Sequence, residues 1–147
     1  MRTASPGWLA GNRGRVVDEM RDAAPWRPHG TALLDYFNGE TAAEVMTHGD
    51  DGETEVVPVS VFFRGPADFS ALEEAALDLC RGRVLDAGAG AGSHALVLQE
   101  QGLSVCAIDI APEAVEVMQK RGVKDARCAD IFHFRDGPFD TLLLMMN

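Results

Sequence analysis

Three glycines at alternate positions follow a short apolar run and a single acid. Residues 83–94 read RVLDAGAGAGSH, so Asp86 closes the apolar run and the glycines fall within Gly88–Gly92. Glycine lets the backbone approach a ligand because it carries no Cβ, and the first turn of a helix presents N–H groups without intrahelical partners. The pattern therefore predicts a strand, a tight loop and a helix over Ser93–Gln101 that together form a nucleotide or anion site.

The spacing of the loop separates two classes of ligand. The dinucleotide fingerprint is G-x-G-x-x-G, and its third glycine packs the helix against the strand. Here the spacing is G-x-G-x-G, and Ser93 stands in the place of that third glycine. A carboxylate at Asp86 would also repel a pyrophosphate, whereas it would accept a cation such as an amino group. Both features disfavour a nicotinamide-dependent oxidoreductase, which stays as one alternative, and a glycine turn that only tightens packing is the purely structural one.

Two further acids stand at the ends of predicted strands. The run Ser104–Asp109 reads as a strand that ends in an acid. This acid lies about twenty residues beyond the loop, where a carboxylate can accept both hydroxyls of a ribose. Asp130 directly follows a third, less apolar strand predicted over Val123–Ala129. Because ligands bind open α/β sheets at the carboxyl ends of the strands, we expect the acids and the loop at one site.

The sequence VLDAGAGAG at residues 84–92 is similar to motif I of the class I S-adenosylmethionine-dependent methyltransferases, and the resemblance covers Ala67–Asn147. It implies an S-adenosyl-L-methionine cofactor and methyl transfer from its sulfonium to an unidentified small-molecule or protein acceptor. By the resemblance, the methionine part contacts Asp86, Gly88, Ala89, Gly90 and Gly92, the ribose contacts Asp109, and the adenine contacts Ile110, Asp130 and Ile131. No catalytic residue is assigned, and His94 and His133 are interpreted as ordinary polar residues.

The elements that must position these residues alternate between strand and helix. A capping box at Ser70 and Glu73 predicts a helix over Ser70–Arg81. Further along the chain the pattern predicts a helix over Pro112–Arg121 and a continuous apolar strand of the fully buried parallel type over Phe139–Met146. The order of elements predicts a doubly wound α/β fold, a Rossmann-like parallel half-sheet of strand order 3-2-1-4 flanked by helices.

The chain before residue 67 is predicted to form an arm and a cap, and residues 67–147 the cofactor-binding domain. Residues 1–28 read as a flexible arm with a short helix at Val16–Ala24. Residues 29–66 read as a cap over the domain. Its predicted elements are a helix at Gly30–Asn38, a second helix at Thr41–His48 that begins with a capping box, a turn, and an edge strand or extended segment at Thr54–Phe63. Phe62, Phe63 and Arg64 are candidates for a lid, or for packing of the cap on the core.

Composition narrows the class of partner. The 147 residues carry a net charge of −10, which argues against nucleic acid because binding to a phosphate backbone needs a basic patch. Cys80, Cys106 and Cys128 lack the spacing of a zinc site and read as reduced, buried thiols of a cytoplasmic protein, so no metal is expected. No apolar run is long enough for a membrane span, and no signal peptide is apparent.

The strands that complete the family's sheet after the fourth are absent from this sequence. The predicted fourth strand would then present an open apolar edge, which favours self-association. The chain is interpreted as a fragment or shortened product that pairs this edge with another copy or covers it with the N-terminal segment. A non-catalytic module that binds S-adenosylmethionine or another nucleoside is the main alternative function.

Overall fold

A computed structural model describes residues 24–145. The helix predicted at Val16–Ala24 lies outside this range except for its last residue. The helices are α1 (Arg27–Phe37), α2 (Ala71–Leu79), α3 (Ser93–Glu100) and α4 (Pro112–Arg121), with two short 3-10 helices at Val59–Phe63 and Pro66–Asp68. The strands are β1 (Glu44–His48), β2 (Thr54–Pro58), β3 (Arg83–Ala87), β4 (Ser104–Asp109), β5 (Ala126–Cys128) and β6 (Thr141–Leu143).

The main sheet is parallel, with the order β5-β4-β3-β6. If the strands of this sheet are numbered along the chain from β3 as strand 1, the order is the predicted 3-2-1-4. The α/β Rossmann-like half-sheet is therefore confirmed. Leu85 of β3 lies opposite Cys106 of β4 and Leu142 of β6. Successive residues of β4 point to opposite faces, so Val105 packs in one apolar core and Cys106 in the other. Both faces of the two central strands are therefore buried, as expected of a parallel sheet.

Local signals define the start of α2 and both ends of α4 as predicted, whereas α1 begins at Arg27, within the predicted arm, rather than at Gly30. Ser70 and Glu73 form both hydrogen bonds of a capping box at the start of α2. Pro112 occupies the first turn of α4, and Gly122 ends that helix in the left-handed conformation at φ +99°. A left-handed residue is a common helix terminator because it satisfies the last carbonyls, and glycine adopts it without steric cost.

The helix predicted at Thr41–His48 is wrong, because this stretch contains β1. The strand pairs antiparallel with β2, with Glu44 opposite Pro58 and His48 opposite Thr54. Val45, Met46 and Thr47 form an extended run at least as readily as a helix, and β2 supplies their hydrogen bonds across the hairpin. The extended segment predicted at Thr54–Phe63 stays in a strand only to Pro58, after which a 3-10 helix begins.

Two other predictions need correction at the edges of the sheet. The fourth strand was predicted as continuous and fully buried, but β6 comprises only Thr141–Leu143; Leu143 is 5% exposed, whereas Leu142 is 54% and Leu144 59% exposed. Among the described residues β6 pairs with β3 alone, so its outer side has no strand to cover it. Cys128 of β5 is exposed rather than buried, because β5 is the opposite edge strand.

The cap docks on α4 through its first helix. A Cβ added at Gly30 of α1 would lie 2.9 Å from the Cβ of Ala111, so the two backbones approach too closely for a side chain. This contact places the start of α1 beside the carboxyl end of β4. Within residues 24–145, no helix has the length and apolar character needed to cross a bilayer.

Candidate functional site

A cavity of about 420 Å³ opens at the carboxyl ends of the parallel strands. Its walls come from the loop after β3, the segments that follow β4 and β5, and the cap. The lining residues are Trp26, His29, Phe62, Ala87, Gly88, Ala89, Gly90, Ala91, Ser93, His94, Ile108, Asp109, Ile110, Ala129, Asp130, Ile131, Phe132 and Met145. Of the predicted cofactor-binding residues, all line this cavity except Asp86 and Gly92.

The glycine loop presents bare backbone to the cavity. Gly88 and Gly90 have φ of +74° and +55°, and a Cβ added at either would find no atom within 4 Å. A side chain at these positions would therefore fill open space of the cavity rather than meet the protein. Glycine at these two positions therefore keeps that part of the cavity open to a ligand.

The N–H groups of the loop are largely used inside the protein. Those of Gly88 and Ala89 donate to the carbonyl oxygen of Ile108 at 2.9 and 3.1 Å. The N–H of Gly90 donates to Asp109 Oδ2 at 2.9 Å, and that of Gly92 to the carbonyl oxygen of Ala89 at 2.8 Å. The loop is thus fixed to β4, and it offers a pyrophosphate few of the donors that a dinucleotide site requires.

Gly92 packs helix α3 rather than lining the cavity. At φ +79°, a Cβ added there would lie 2.8 Å from Val123 Cγ2 and 2.9 Å from Met118 Cγ. The start of α3 therefore lies close against the end of α4. Gly92 thus packs the helix closely, which is the role of the third glycine of a dinucleotide fingerprint. In that fingerprint the glycine would stand one residue later, at the position of Ser93.

Asp109 is an acid of the cavity that the backbone of two loops holds in place. It is 8% exposed. Its Oδ1 accepts from the N–H of Ala111 at 2.9 Å, and its Oδ2 accepts from the N–H of Gly90 at the same distance. An ionised carboxylate has about four lone-pair sites, so each oxygen can accept a further bond from a ligand hydroxyl. The backbone thus holds this carboxylate in place with accepting capacity to spare.

Asp86 is buried behind the loop residues that line the cavity. It is 2% exposed, and within residues 24–145 its Oδ2 has no hydrogen-bond partner. Burial, together with the charge of Asp109, raises the pKa of Asp86 to about 7, although the N–H of Ala95 acts in the opposite direction. The side chain is therefore an acid near its midpoint at neutral pH, with one oxygen that a cationic or donating group would satisfy.

The segment after β5 supplies the far wall. Asp130 accepts from the N–H of Phe132 at 2.9 Å and lies 2.7 Å from His133 Nδ1, and these contacts lower the pKa of its carboxyl. Ile110, after β4, and Ile131 also line the cavity. His133, by contrast, has a largely exposed side chain and does not line the cavity.

The start of α1 contributes residues that sequence reasoning did not assign to the site. Trp26 and His29 line the cavity from the start of α1, and the His29 ring lies edge-on to Phe62 with centroids 4.8 Å apart. Burial lowers the pKa of His29, although the charge of Asp109 opposes this. The sequence offers one signal for this end of α1, the pair Pro28-His29 beside the predicted helix. That pair does not indicate which part of the fold His29 contacts.

The three candidate lid residues contact the cavity, the cap and α2, respectively. Phe62 lines the cavity, whereas the Phe63 ring lies 4.6 Å from that of Tyr36 and 5.0 Å from the Arg121 guanidinium. Arg64 pairs with Glu73 at 3.1 Å.

His94 lies in the first turn of α3 and lines the cavity, and its ring is hydrogen-bonded to a residue of α2. Its Nε2 is 3.0 Å from Glu73 Oε1, so the histidine links α3 to α2. Burial alone would raise the pKa of Glu73, but the N–H of Ser70, the His94 ring and the Arg64 guanidinium lower it to about 2. The His94 ring is thus held against a carboxylate that stays ionised at neutral pH.

A family model and a solved structure both match this chain to methyltransferases. Residues 85–146 match the family described as "Methyltransferase domain". An S-adenosylmethionine-dependent methyltransferase from Bacteroides fragilis, solved with S-adenosyl-L-homocysteine, is 42% identical; the match covers 85% of this chain and 52% of that one with a TM-score of 0.77. This chain therefore spans about half the length of that protein. None of the curated proteins matches the sequence significantly.

A second solved structure is more distant. The sugar N-methyltransferase KedS8 from a Streptoalloteichus species is 21% identical, with 67% of this chain and 43% of that chain covered and a TM-score of 0.47.

Proposed function

We propose that the cavity of this chain binds S-adenosyl-L-methionine for methyl transfer to a small-molecule or protein acceptor. The chain belongs to the class I S-adenosylmethionine-dependent methyltransferases, which supports the choice of cofactor. The observation that supports this most is Asp109, a carboxylate at the end of β4 that two backbone N–H groups hold toward the cavity. A ribose presents two adjacent hydroxyls, which such a carboxylate can accept together.

The residues around the cavity fit the remaining parts of the cofactor. Asp130 and Ile131 would hold the adenine, and Ile110 would pack on its face. The bare backbone at Gly88, Ala89 and Gly90 would hold the methionine part. We propose indirect roles for the two residues outside the lining: Gly92 fixes the start of α3, and Asp86 acts on the ligand's charge through the loop.

Bound S-adenosylmethionine would supply an activated methyl group, and the protein would contribute mainly placement. Methyl transfer is an in-line displacement, so its rate depends on bringing the nucleophile close and aligned. Asp109 and the loop would fix the nucleoside and the sulfur, while Trp26, His29 and Phe62 would exclude water from the cap side. The proposal also includes self-association of the chain through β6.

Two alternatives differ from this proposal in what they predict. A non-catalytic module would bind the cofactor and transfer nothing, and the 52% coverage of the Bacteroides fragilis protein keeps this alternative open. A nicotinamide-dependent oxidoreductase is disfavoured because the loop's N–H groups donate within the protein.

Calorimetric titration of the 147-residue chain with S-adenosylhomocysteine, with NAD as the control ligand, tests the proposal. We expect saturable binding of S-adenosylhomocysteine and none of NAD. A folded sample that binds neither ligand, or that prefers NAD, would contradict the proposed function. Incubation with methyl-labelled S-adenosylmethionine and candidate acceptors then separates an enzyme from a binding module.

A further inference from the structure

One buried polar cluster at the cavity is not used by cofactor binding. It comprises His94, Glu73, Arg64 and Ser70, and it connects α3, α2 and the end of the predicted cap. His94 and Glu73 are 7% and 4% exposed, yet His94 is also one of the residues that line the cavity. A buried imidazole with one side on a carboxylate and the other on a cavity is the arrangement of an oriented base.

The surroundings of Glu73 fix which ring nitrogen of His94 is free. Glu73 accepts from the Ser70 N–H at 2.7 Å and from the Arg64 guanidinium at 3.1 Å, and it is ionised at neutral pH. An ionised carboxylate only accepts, so His94 Nε2 must carry the proton of their 3.0 Å bond. The lone pair of the neutral ring is then on Nδ1, for which no partner is found within residues 24–145.

The order of the strands places His94 at the end of the cavity where the sulfur belongs. On the proposed function, adenine lies at the end of β5 and ribose at the end of β4. The methionine part must then extend toward the ends of β3 and β6, and this is where His94 and Met145 line the cavity. On the proposed function, His94 therefore lies at the end of the cavity that would hold the sulfur and its methyl group.

We propose that His94, oriented by Glu73, is the base that receives the proton of the methyl acceptor; this rests on the proposed function and narrows its substrate class to hydroxyls and amines that carry a proton. As the acceptor's lone pair forms the bond to the methyl carbon, the carbon–sulfur bond breaks and its electron pair stays on sulfur. The proton of the acceptor passes to Nδ1, and Glu73 stabilises the resulting imidazolium.

Nuclear magnetic resonance of the ¹⁵N-labelled 147-residue chain tests this placement without a known acceptor. Long-range ¹H–¹⁵N spectra are recorded at one pH with S-adenosylhomocysteine and then with S-adenosylmethionine. The two ligands share the adenosine and the amino acid and differ in the methyl group and the sulfonium charge, so a resonance that differs between them lies near the reacting atoms. His94→Gln identifies the His94 signals by their loss, and the exposed His48 and His133 serve as internal controls.

We expect the Nε2–H tautomer of His94 in the S-adenosylhomocysteine complex and a shift of its Nδ1 resonance with S-adenosylmethionine that exceeds those of both controls. An Nδ1–H tautomer, or His94 signals that are identical in the two saturated complexes, would overturn the assignment of the base while leaving cofactor binding intact. Failure of either ligand to bind would instead overturn the proposed function, and the base with it.

Discussion

Asp109 is the residue on which cofactor binding should depend most. Replacing its carboxylate in Asp109→Asn removes the charge, and the new amide nitrogen faces either the Gly90 or the Ala111 N–H. A hydrogen bond to a charged group contributes about 1.5–3 kcal/mol, so affinity for S-adenosylhomocysteine should fall roughly 10- to 100-fold by calorimetry. Asp78→Asn, an exposed carboxylate on α2, loses the same charge and should bind as the unsubstituted chain does. Equal affinities of the two variants would contradict the role of Asp109.

Asp86 should make stability depend on pH in a direction unusual for a carboxylate. Its pKa is raised from 3.8 to about 7 in the folded chain. Between these values the folded state holds a proton that the unfolded state has released, so the free energy of unfolding falls as pH rises. The contribution is complete below pH ~4 and lost above pH ~7; three pKa units correspond to a loss on the order of 4 kcal/mol.

Urea unfolding at pH 5 and pH 8 measures this dependence. Asp86→Asn keeps an oxygen for the Ala95 N–H but cannot ionise, so its loss of stability between the two pH values should be smaller than that of the unsubstituted chain. The buried amide has a cost of its own, but that cost is the same at both pH values and cancels in the comparison. Equal losses in the two proteins would show that Asp86 is ionised at both pH values.

At the scale of the elements, Gly90 and Gly92 should have different roles, Gly90 in ligand binding and Gly92 in the packing of α3. Gly90 and Gly92 are both left-handed, so alanine at either costs about 1–2 kcal/mol in backbone strain. Gly92→Ala additionally forces a Cβ against Val123 and Met118 and should destabilise the chain further, as measured by urea unfolding. Gly90→Ala meets no atom of the protein but occupies the cavity, so it should lose more S-adenosylhomocysteine affinity. The opposite pattern would reverse the two assigned roles.

The elements that the sequence predicts well are those with local signals at both ends. Gly122 and Pro112 delimit α4, and Ser70 with Glu73 begins α2, because capping and left-handed termination depend on neighbours in the sequence. The hairpin was missed because Thr41 and Glu44 have the spacing of a capping box, whereas the strand pairing that prevails joins residues 6 to 14 positions apart.

The same distinction explains which parts of the cavity were predicted. Asp109, Asp130 and the glycines follow strands, and the topology of a parallel sheet brings strand ends together. Trp26 and His29 reach the cavity only through the docking of α1 on α4, a tertiary contact that leaves no periodic signal. The burial of Asp86 and its raised pKa likewise depend on the surrounding packing rather than on the motif itself.

For the molecule as a whole, β6 is the surface that should govern association. Leu142 and Leu144 are 54% and 59% exposed, and β6 has backbone groups on its outer side without a strand among the described residues. Open apolar edges of this kind pair with other chains. The net charge of −10 opposes the approach of two copies, so association should strengthen as added salt screens that repulsion.

Sedimentation velocity over a range of protein and salt concentrations tests this expectation. Leu142→Lys places a charge on the open edge and should shift the chain toward monomer, since edge lysines block strand pairing. Met46→Lys is the matched control: Met46 is 58% exposed, slightly more than Leu142 at 54%, but it lies on the β1–β2 hairpin, so this change should leave association unaltered. If both variants dissociate equally, the driving force is general apolar contact rather than the β6 edge. A chain that is monomeric at every concentration and salt level would rule out self-pairing through β6.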